Sequence, residues 1–218
     1  MILTAKFFIF DMDGLMFDTE RLFFECVREA ASLYGYDYTE EKYIKTIGTA
    51  GETLKKVVIE TMGKDYPLVE ASNKAKELMD IRIEKDGLPL KSGLLNLLGL
   101  LKELNIKCCV ASSTNSDKVI EYLNKAGINN YFCNVIGGEM VNRSKPAPDI
   151  FLKACDECGF SPSEAVVLED SMNGVRAGIA AGIKVICIPD IVMPDDFTKG
   201  NAYRVYNTLN DVIPLLID

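Results

Sequence analysis

The stretch Phe7-Phe8-Ile9-Phe10-Asp11-Met12-Asp13-Gly14 decides how the chain is read. An unbroken apolar run that ends at an Asp-Gly turn signal predicts a short buried strand. Residues two apart on an extended backbone project to the same side, so Asp11 and Asp13 share one small volume. Like charges that close raise each other's pKa unless a cation lies between them or one group carries a proton. Either arrangement is useful chemistry: a Mg²⁺ seat, a carboxylate nucleophile or an acid/base group. On these residues alone a strand followed by a plain turn explains as much. A calcium loop does not fit, because Gly14 falls at the fourth position of the segment and that loop needs glycine at the sixth.

A chain of 218 residues can bury a sizeable core, either as one domain with an insertion or as two unequal domains. Its 24 basic and 32 acidic residues leave a net charge of −8, with no basic block or basic–aromatic stripe. No nucleic-acid partner and no membrane partner is therefore expected, and small-molecule chemistry is favoured. No apolar run approaches the ~20 residues of a membrane span. The first residues also lack the basic start and small-residue cleavage site of a signal peptide, so a cytoplasmic monomer is the expectation. The seven cysteines, Cys26, Cys108, Cys109, Cys133, Cys155, Cys158 and Cys187, are scattered and read as reduced thiols. Cys155-x-x-Cys158 could be half of a zinc site, but no second close-spaced pair completes it and the chain has no histidine. That absence also removes imidazole-based mechanisms, and no cysteine is followed six positions later by arginine. A hydrolase with this composition would use a carboxylate or a metal-bound water as nucleophile.

From Phe17 to Lys85 apolar residues recur at helical spacing and strand signals are scarce. Leu22, Phe23, Cys26, Val27, Ala30 and Leu33 would line one helix, Leu54, Val57, Val58 and Met62 a second, and Ala75, Leu78, Met79 and Arg82 a third. Beyond Gly87-Leu88-Pro89 short apolar runs alternate with amphipathic helices: Ile106–Ala111, Cys133–Ile136, Ala165–Leu168 and Val185–Ile188. Continuous apolar strands between helices indicate a parallel sheet covered on both faces. One strand precedes the helical block and four follow it. The economical fold is an α/β, doubly wound, Rossmann-like parallel sheet core over residues 1–16 and 86–218, with an all-helical cap at 17–85 inserted after the first strand.

Ligands of such sheets bind at the carboxyl ends of the strands. There the chain places Asp11 and Asp13, then Ser112-Ser113-Thr114, then Ser144-Lys145-Pro146, then Glu169-Asp170. Each group has a plain alternative: Ser112 or Thr114 could cap the next helix, Lys145 could be a solvated loop charge, and Glu169-Asp170 could cap the helix near Met172. Together they crowd acids onto one edge, which is costly unless metal and phosphate organise them. Gly174, Gly178 and Gly182 recur every four residues and read as close packing of a helix on the sheet.

These residues carry a resemblance to the haloacid-dehalogenase-like superfamily, and within it to phosphatases and β-phosphoglucomutase-like members with a helical cap. Asp11-Met12-Asp13-Gly14-Leu15-Met16-Phe17-Asp18-Thr19-Glu20 is similar to the first motif, and Val110-Ala111-Ser112 to the second. Ser144-Lys145-Pro146-Ala147-Pro148-Asp149 resembles the third and Leu168-Glu169-Asp170-Ser171-Met172-Asn173-Gly174 the fourth. The ordered set is far more specific than any member of it.

The resemblance implies that Asp11 attacks phosphorus, that Asp13 serves as acid and then base, and that Lys145 offsets charge between nucleophile and phosphate. It also implies phosphate binding by Ser112, Ser113 and Lys145, and a Mg²⁺ held by Asp11, the Asp13 carbonyl and Asp170 with Glu169 nearby. Glu20, Phe24 and Thr49 of the cap are the implied substrate contacts. Asp13 favours phosphate monoesters, because the dehalogenating and phosphonate-cleaving relatives lack an aspartate there. The expected activity is a Mg²⁺-dependent phosphatase for a small phosphorylated metabolite, a sugar or polyol phosphate. A phosphosugar mutase is the alternative, although the loop Gly48-Thr49-Ala50-Gly51-Glu52-Thr53 has no cation where the mutase has an arginine. A phosphate sensor without catalysis is a third reading, and it has no need of a nucleophile beside an acid/base group.

Overall fold

A computed structural model describes residues 3–49 and 51–217, so Ala50 of the Gly48–Thr53 loop lies outside the described residues. The chain divides into two compact units, Met1–Asp18 with Leu88–Asp218, and Thr19–Gly87. The strands are β1 (Phe7–Phe10), β2 (Lys107–Ala111), β3 (Asn134–Ile136), β4 (Ala165–Glu169), β5 (Lys184–Cys187) and β6 (Arg204–Val205). The helices are α1 (Thr19–Leu33), α2 (Glu40–Ile44), α3 (Gly51–Met62), α4 (Leu68–Asp86), α5 (Leu94–Glu103), α6 (Ser116–Lys125), α7 (Asp149–Cys158), α8 (Met172–Ala180) and α9 (Asp196–Asn201). None of the helices among the described residues is long and apolar enough to cross a membrane.

In the first unit the strands form a parallel sheet of order β3-β2-β1-β4-β5-β6. The chain order reverses between β1 and β4, which is the switch point at which doubly wound sheets bind ligands. Five strands are expected from the apolar runs, and among the described residues the sheet has six. The extra one, β6, is two exposed residues, so no apolar run announces it.

All four residues of β1 are buried, as a strand with helices on both faces requires. Phe7 and Ile9 share one face with Cys109, Ala111, Val167 and Val185, against Ile150, Phe151 and Ala154 of α7 and Val175 and Ala177 of α8. Each fully buried aliphatic or phenyl side chain there contributes about 1.5–3 kcal/mol. Pro148 precedes α7 and Gly159 follows it in the left-handed region, so the helix spans the residues that its Pro and Gly punctuation marks. On α8, a Cβ at Gly178 would come within 2.5 Å of the Val185 side chain, which is helix-on-sheet packing.

The second unit is all helical. Cys26 and Ala30 of α1 pack with Ala75 of α4, flanked by Leu22, Phe23, Val27, Leu78 and Met79. Arg82 of α4 ties the same pair together by reaching Glu25 (2.9 Å) and Glu29 (2.5 Å). Leu33 departs from the expected apolar face and is 63% exposed. It is the last residue of α1, where the chain leaves the helix through the turn at Tyr34-Gly35.

Candidate active site

The site grows from the register of β1 and β4. Phe10 is aligned with Leu168, and the Asp11 N–H donates to the Leu168 carbonyl at 3.0 Å, so Asp11 emerges beside Glu169. On the other flank β2 ends in Ala111-Ser112, with the Ser112 N–H donating to the Ile136 carbonyl (3.1 Å). The β3–α7 connection carries Lys145 into the same place, and the Lys145–Pro146 peptide is cis.

Lys145 has all three of its ammonium donors engaged. Its Nζ lies 2.5 Å from Asp11 Oδ1, 2.7 Å from Glu169 Oε1 and 3.2 Å from the Ala111 carbonyl. The Phe151 ring lies beneath it, with the centroid 4.9 Å from Nζ. Glu169 is fully buried and uses both oxygens, since Oε2 accepts from the Ser171 N–H (2.8 Å) and hydroxyl (3.0 Å). One oxygen each from Asp11, Glu169 and Asp170 lies within 4.8 Å of the others. Asp13 is held by the Thr114 hydroxyl, which donates to Oδ2 at 2.7 Å. Ser112 is buried and its Oγ accepts from the Thr114 N–H at 3.0 Å, while Ser113 is exposed.

Two backbone positions let these groups converge. Gly14 has φ +79°, and a Cβ there would stand 2.3 Å from Asp170 Oδ2 and 3.3 Å from Asp190 Oδ2. At Gly174 a Cβ would overlap the Glu169 carboxylate. Neither plain capping role applies to the predicted site residues. Asn115 caps α6, not Ser112 or Thr114, and Ser171 caps α8, not Glu169 or Asp170.

Electrostatics sets what the site can hold. Burial pushes the Asp11 carboxyl up to about 8 against the pull of Lys145, and burial with Glu169 and Asp11 close by pushes Asp170 up as well. Burial opposes the charge on Lys145, yet Asp11 and Glu169 outweigh it and hold the ammonium's pKa above its ordinary value. Asp190, just beyond β5, accepts from Lys91 Nζ through Oδ1 (2.7 Å), while its buried Oδ2 has no hydrogen-bond partner among the described residues. The clustered acids Asp11, Glu169, Asp170 and Asp190 therefore outnumber the ammonium groups Lys145 and Lys91. Hard oxygen donors with excess negative charge and an orphaned carboxylate oxygen fit a Mg²⁺ ion.

Sequence reasoning missed Asp190, Lys91 and the part that Thr114 plays. Asp190 follows the carboxyl end of β5 by three residues, and an acid in that place is a signal that could have found it. Glu20, Phe24 and Thr49 belong to the second unit. There Glu20 accepts from the Tyr43 hydroxyl (2.9 Å), Phe24 tilts against the Tyr43 ring (5.1 Å), and Thr49 donates to the Thr46 carbonyl (2.7 Å).

The switch point of the doubly wound sheet thus gathers a lysine and paired acids. Residues 8–188 match the haloacid dehalogenase-like hydrolases, and the chain belongs to that family. It is 32% identical to a phosphorylated carbohydrates phosphatase of Thermotoga maritima over 95% of this chain and 88% of that protein. It is 30% identical to the fructose-1-phosphate phosphatase YqaB of Escherichia coli over 82% of this chain and 93% of that one. Among solved structures it is similar to CbbY from Rhodobacter sphaeroides in complex with phosphate. That match has a TM-score of 0.77 and 25% identity, covering 95% of this chain and 96% of the other.

Proposed function

We propose that this chain is a phosphoric monoester hydrolase that uses Mg²⁺, takes small phosphorylated carbohydrates and works through an aspartyl-phosphate on Asp11. The carrying observation is the Lys145 ammonium held between Asp11 and Glu169, with an Asp170 oxygen close enough to share a cation with both. The phosphatase relatives support the same class.

In this mechanism Asp11 attacks phosphorus in line and the bond to the leaving oxygen breaks. Asp13 gives that oxygen its proton, so the product departs as a neutral alcohol. A water then attacks the phosphorus of the aspartyl-phosphate and Asp13 takes its proton, which releases phosphate and restores the Asp11 carboxylate. The Thr114 hydroxyl on Asp13 Oδ2 fixes the rotation of that carboxyl group. Lys145 counters the anion facing anion, and Ser112 and Ser113 donate to phosphoryl oxygens. Asp11, the Asp13 carbonyl and Asp170 would hold Mg²⁺, with Glu169 orienting Lys145 and Ser171 beside them. When bound, Mg²⁺ supplies positive charge to the phosphoryl oxygens.

Residues 17–85 act as the cap in this reading, and Glu20, Phe24 and Thr49 contribute to substrate choice. The loop from Gly48 to Thr53 brings no arginine for a second phosphate, which favours hydrolysis over mutase chemistry. The test is a panel of sugar, polyol and nucleotide monophosphates assayed for released phosphate with Mg²⁺ and with EDTA. Mg²⁺-dependent release concentrated on carbohydrate esters is expected. No release from any ester overturns the reading, and conversion of β-glucose 1-phosphate to glucose 6-phosphate when primed with the bisphosphate replaces it with a mutase.

A further inference from the structure

A group of thiols lies at the amino ends of the strands, away from the acids and unused by the mechanism above. Cys133 directly precedes β3, and its N–H donates to the Cys108 carbonyl at 2.8 Å. Cys158 is the last residue of α7, a helix that starts near the carboxyl ends and runs back across the sheet. The two therefore meet, with Sγ atoms 3.6 Å apart. A second tie joins the same segments, because Asn134 Nδ2 donates to Glu157 Oε2 at 2.9 Å. Cys133 is exposed and Cys158 half-buried, and both border an open cleft of about 290 Å³ that Lys107 and Phe160 help to line. A water occupies ~30 Å³ of liquid, so a peroxide has ample room to reach either sulfur.

We infer that Cys133 and Cys158 form a reversible oxidation site, in which Cys158 reduces a small peroxide and Cys133 completes an intramolecular disulfide. The Cys158 thiolate attacks one peroxide oxygen, the O–O bond breaks, and the departing oxygen takes up a proton to leave as water or alcohol. The Cys133 sulfur then attacks the sulfenic sulfur, the S–O bond breaks, and the Cys133 proton leaves with that oxygen as water. Two thiols lose two electrons and two protons, and the peroxide is reduced. The sulfurs need to approach by about 1.5 Å to reach a bond length of about 2.05 Å.

Two features single out this pair from the other thiols. The neighbouring thiols of Cys109 and then Cys133 hold the Cys158 thiol down to about 7 against its burial, which makes it the readiest thiolate of the group. Burial pushes Cys108 and Cys187 up to about 12 and Cys155 to about 11, so they stay inert thiols. Cys133 is likewise pushed up to about 11, which suits the second step and not the first. The ring so closed contains β3, Lys145 and α7, so oxidation constrains the segment that delivers the lysine.

The test is hydrogen peroxide treatment of the whole protein, followed by a thiol count and peptide mapping without reductant. The expected result is loss of two of the seven thiols, a Cys133–Cys158 linked peptide pair and full recovery with dithiothreitol. In Cys133→Ser a dimedone adduct should accumulate on Cys158 without a disulfide, and Cys158→Ser should form neither. A linked pair that uses Cys109 or Cys155, disulfides only between chains, or oxidation of Cys133 ahead of Cys158 overturns the inference. These readouts are covalent and do not depend on the proposed phosphatase activity.

Discussion

A Cβ added at Gly174 would lie 1.6 Å from Glu169 Oε1 and 1.9 Å from its carboxyl carbon, so the first turn of α8 is built directly against a buried carboxylate. Glu169 cannot step aside, because Lys145 and Ser171 hold both of its oxygens. Alanine is the better helix former by about 1 kcal/mol, so Gly174→Ala would stabilise α8 if space allowed. Overpacking costs about 1–3 kcal/mol, and here it also displaces a charged hydrogen-bond network. Urea unfolding of Gly174→Ala should show a lower midpoint at unchanged slope, together with a loss of turnover. Wild-type stability would disprove the close approach.

Lys145→Ala leaves Asp11 and Glu169 facing each other without a cation. Turnover should fall by about 10²–10³, the scale for removing one electrostatic donor at a reacting centre. Lys145→Arg should not restore it, since a planar guanidinium cannot reproduce three divergent ammonium bonds in so enclosed a space. Initial rates on the best substrate of the panel check both variants.

Metal removal should abolish phosphate release, and added Mg²⁺ should restore it. Binding to the folded chain alone raises its stability, by about 2.7 kcal/mol at a concentration a hundredfold above the dissociation constant. Thermal melts with and without Mg²⁺ should therefore separate for the wild type and coincide for Asp170→Asn. Glu169→Gln, which keeps the shape but loses the charge that orients Lys145, should weaken Mg²⁺ binding about 10–100-fold by calorimetry.

Asp195 caps α9 by accepting from the Thr198 N–H (2.8 Å), and it also pairs with Arg176 (2.5 Å). The Thr198 backbone bond, then Arg176, hold its carboxyl down to about 2. A folded value below the unfolded ~3.9 means the charged form stabilises the fold above that pH, and the gain disappears as pH falls through about 2. Asp195→Asn keeps an acceptor for the cap but not the charge. The gap in melting midpoint between wild type and this variant should be present at pH 7 and shrink between about pH 4 and pH 2. Salt should narrow it, since the pair faces solvent.

The parts of the fold that physics writes locally were legible in the residues. Phe7–Phe10 and Asp149–Cys158 have the bounds that their apolar run and their Pro and Gly punctuation mark. Asp11, Glu169 and Asp170 converge because strand ends in one parallel sheet must lie along one edge, and the β3–α7 connection brings Lys145 to the same edge. What stayed hidden depends on contacts between distant segments. Arg204–Val205 becomes a strand only because β5 offers an edge. The hydroxyl of Thr114, one residue before the true cap Asn115, is spent on Asp13, and no local pattern distinguishes those two fates. Asp190 and Lys91 are 99 positions apart in sequence and form a pair only once the sheet exists.

The chain leaves the sheet unit after Asp18 and re-enters it at Leu88. The Asp18 N–H donates to the Pro89 carbonyl at 2.8 Å, and the Lys91 N–H donates to the Met16 carbonyl at 2.9 Å, so the chain departs and returns along one hydrogen-bonded ribbon. A segment that enters and leaves through neighbouring backbone positions can change in length and content while the register of the strands on either side stays as it is.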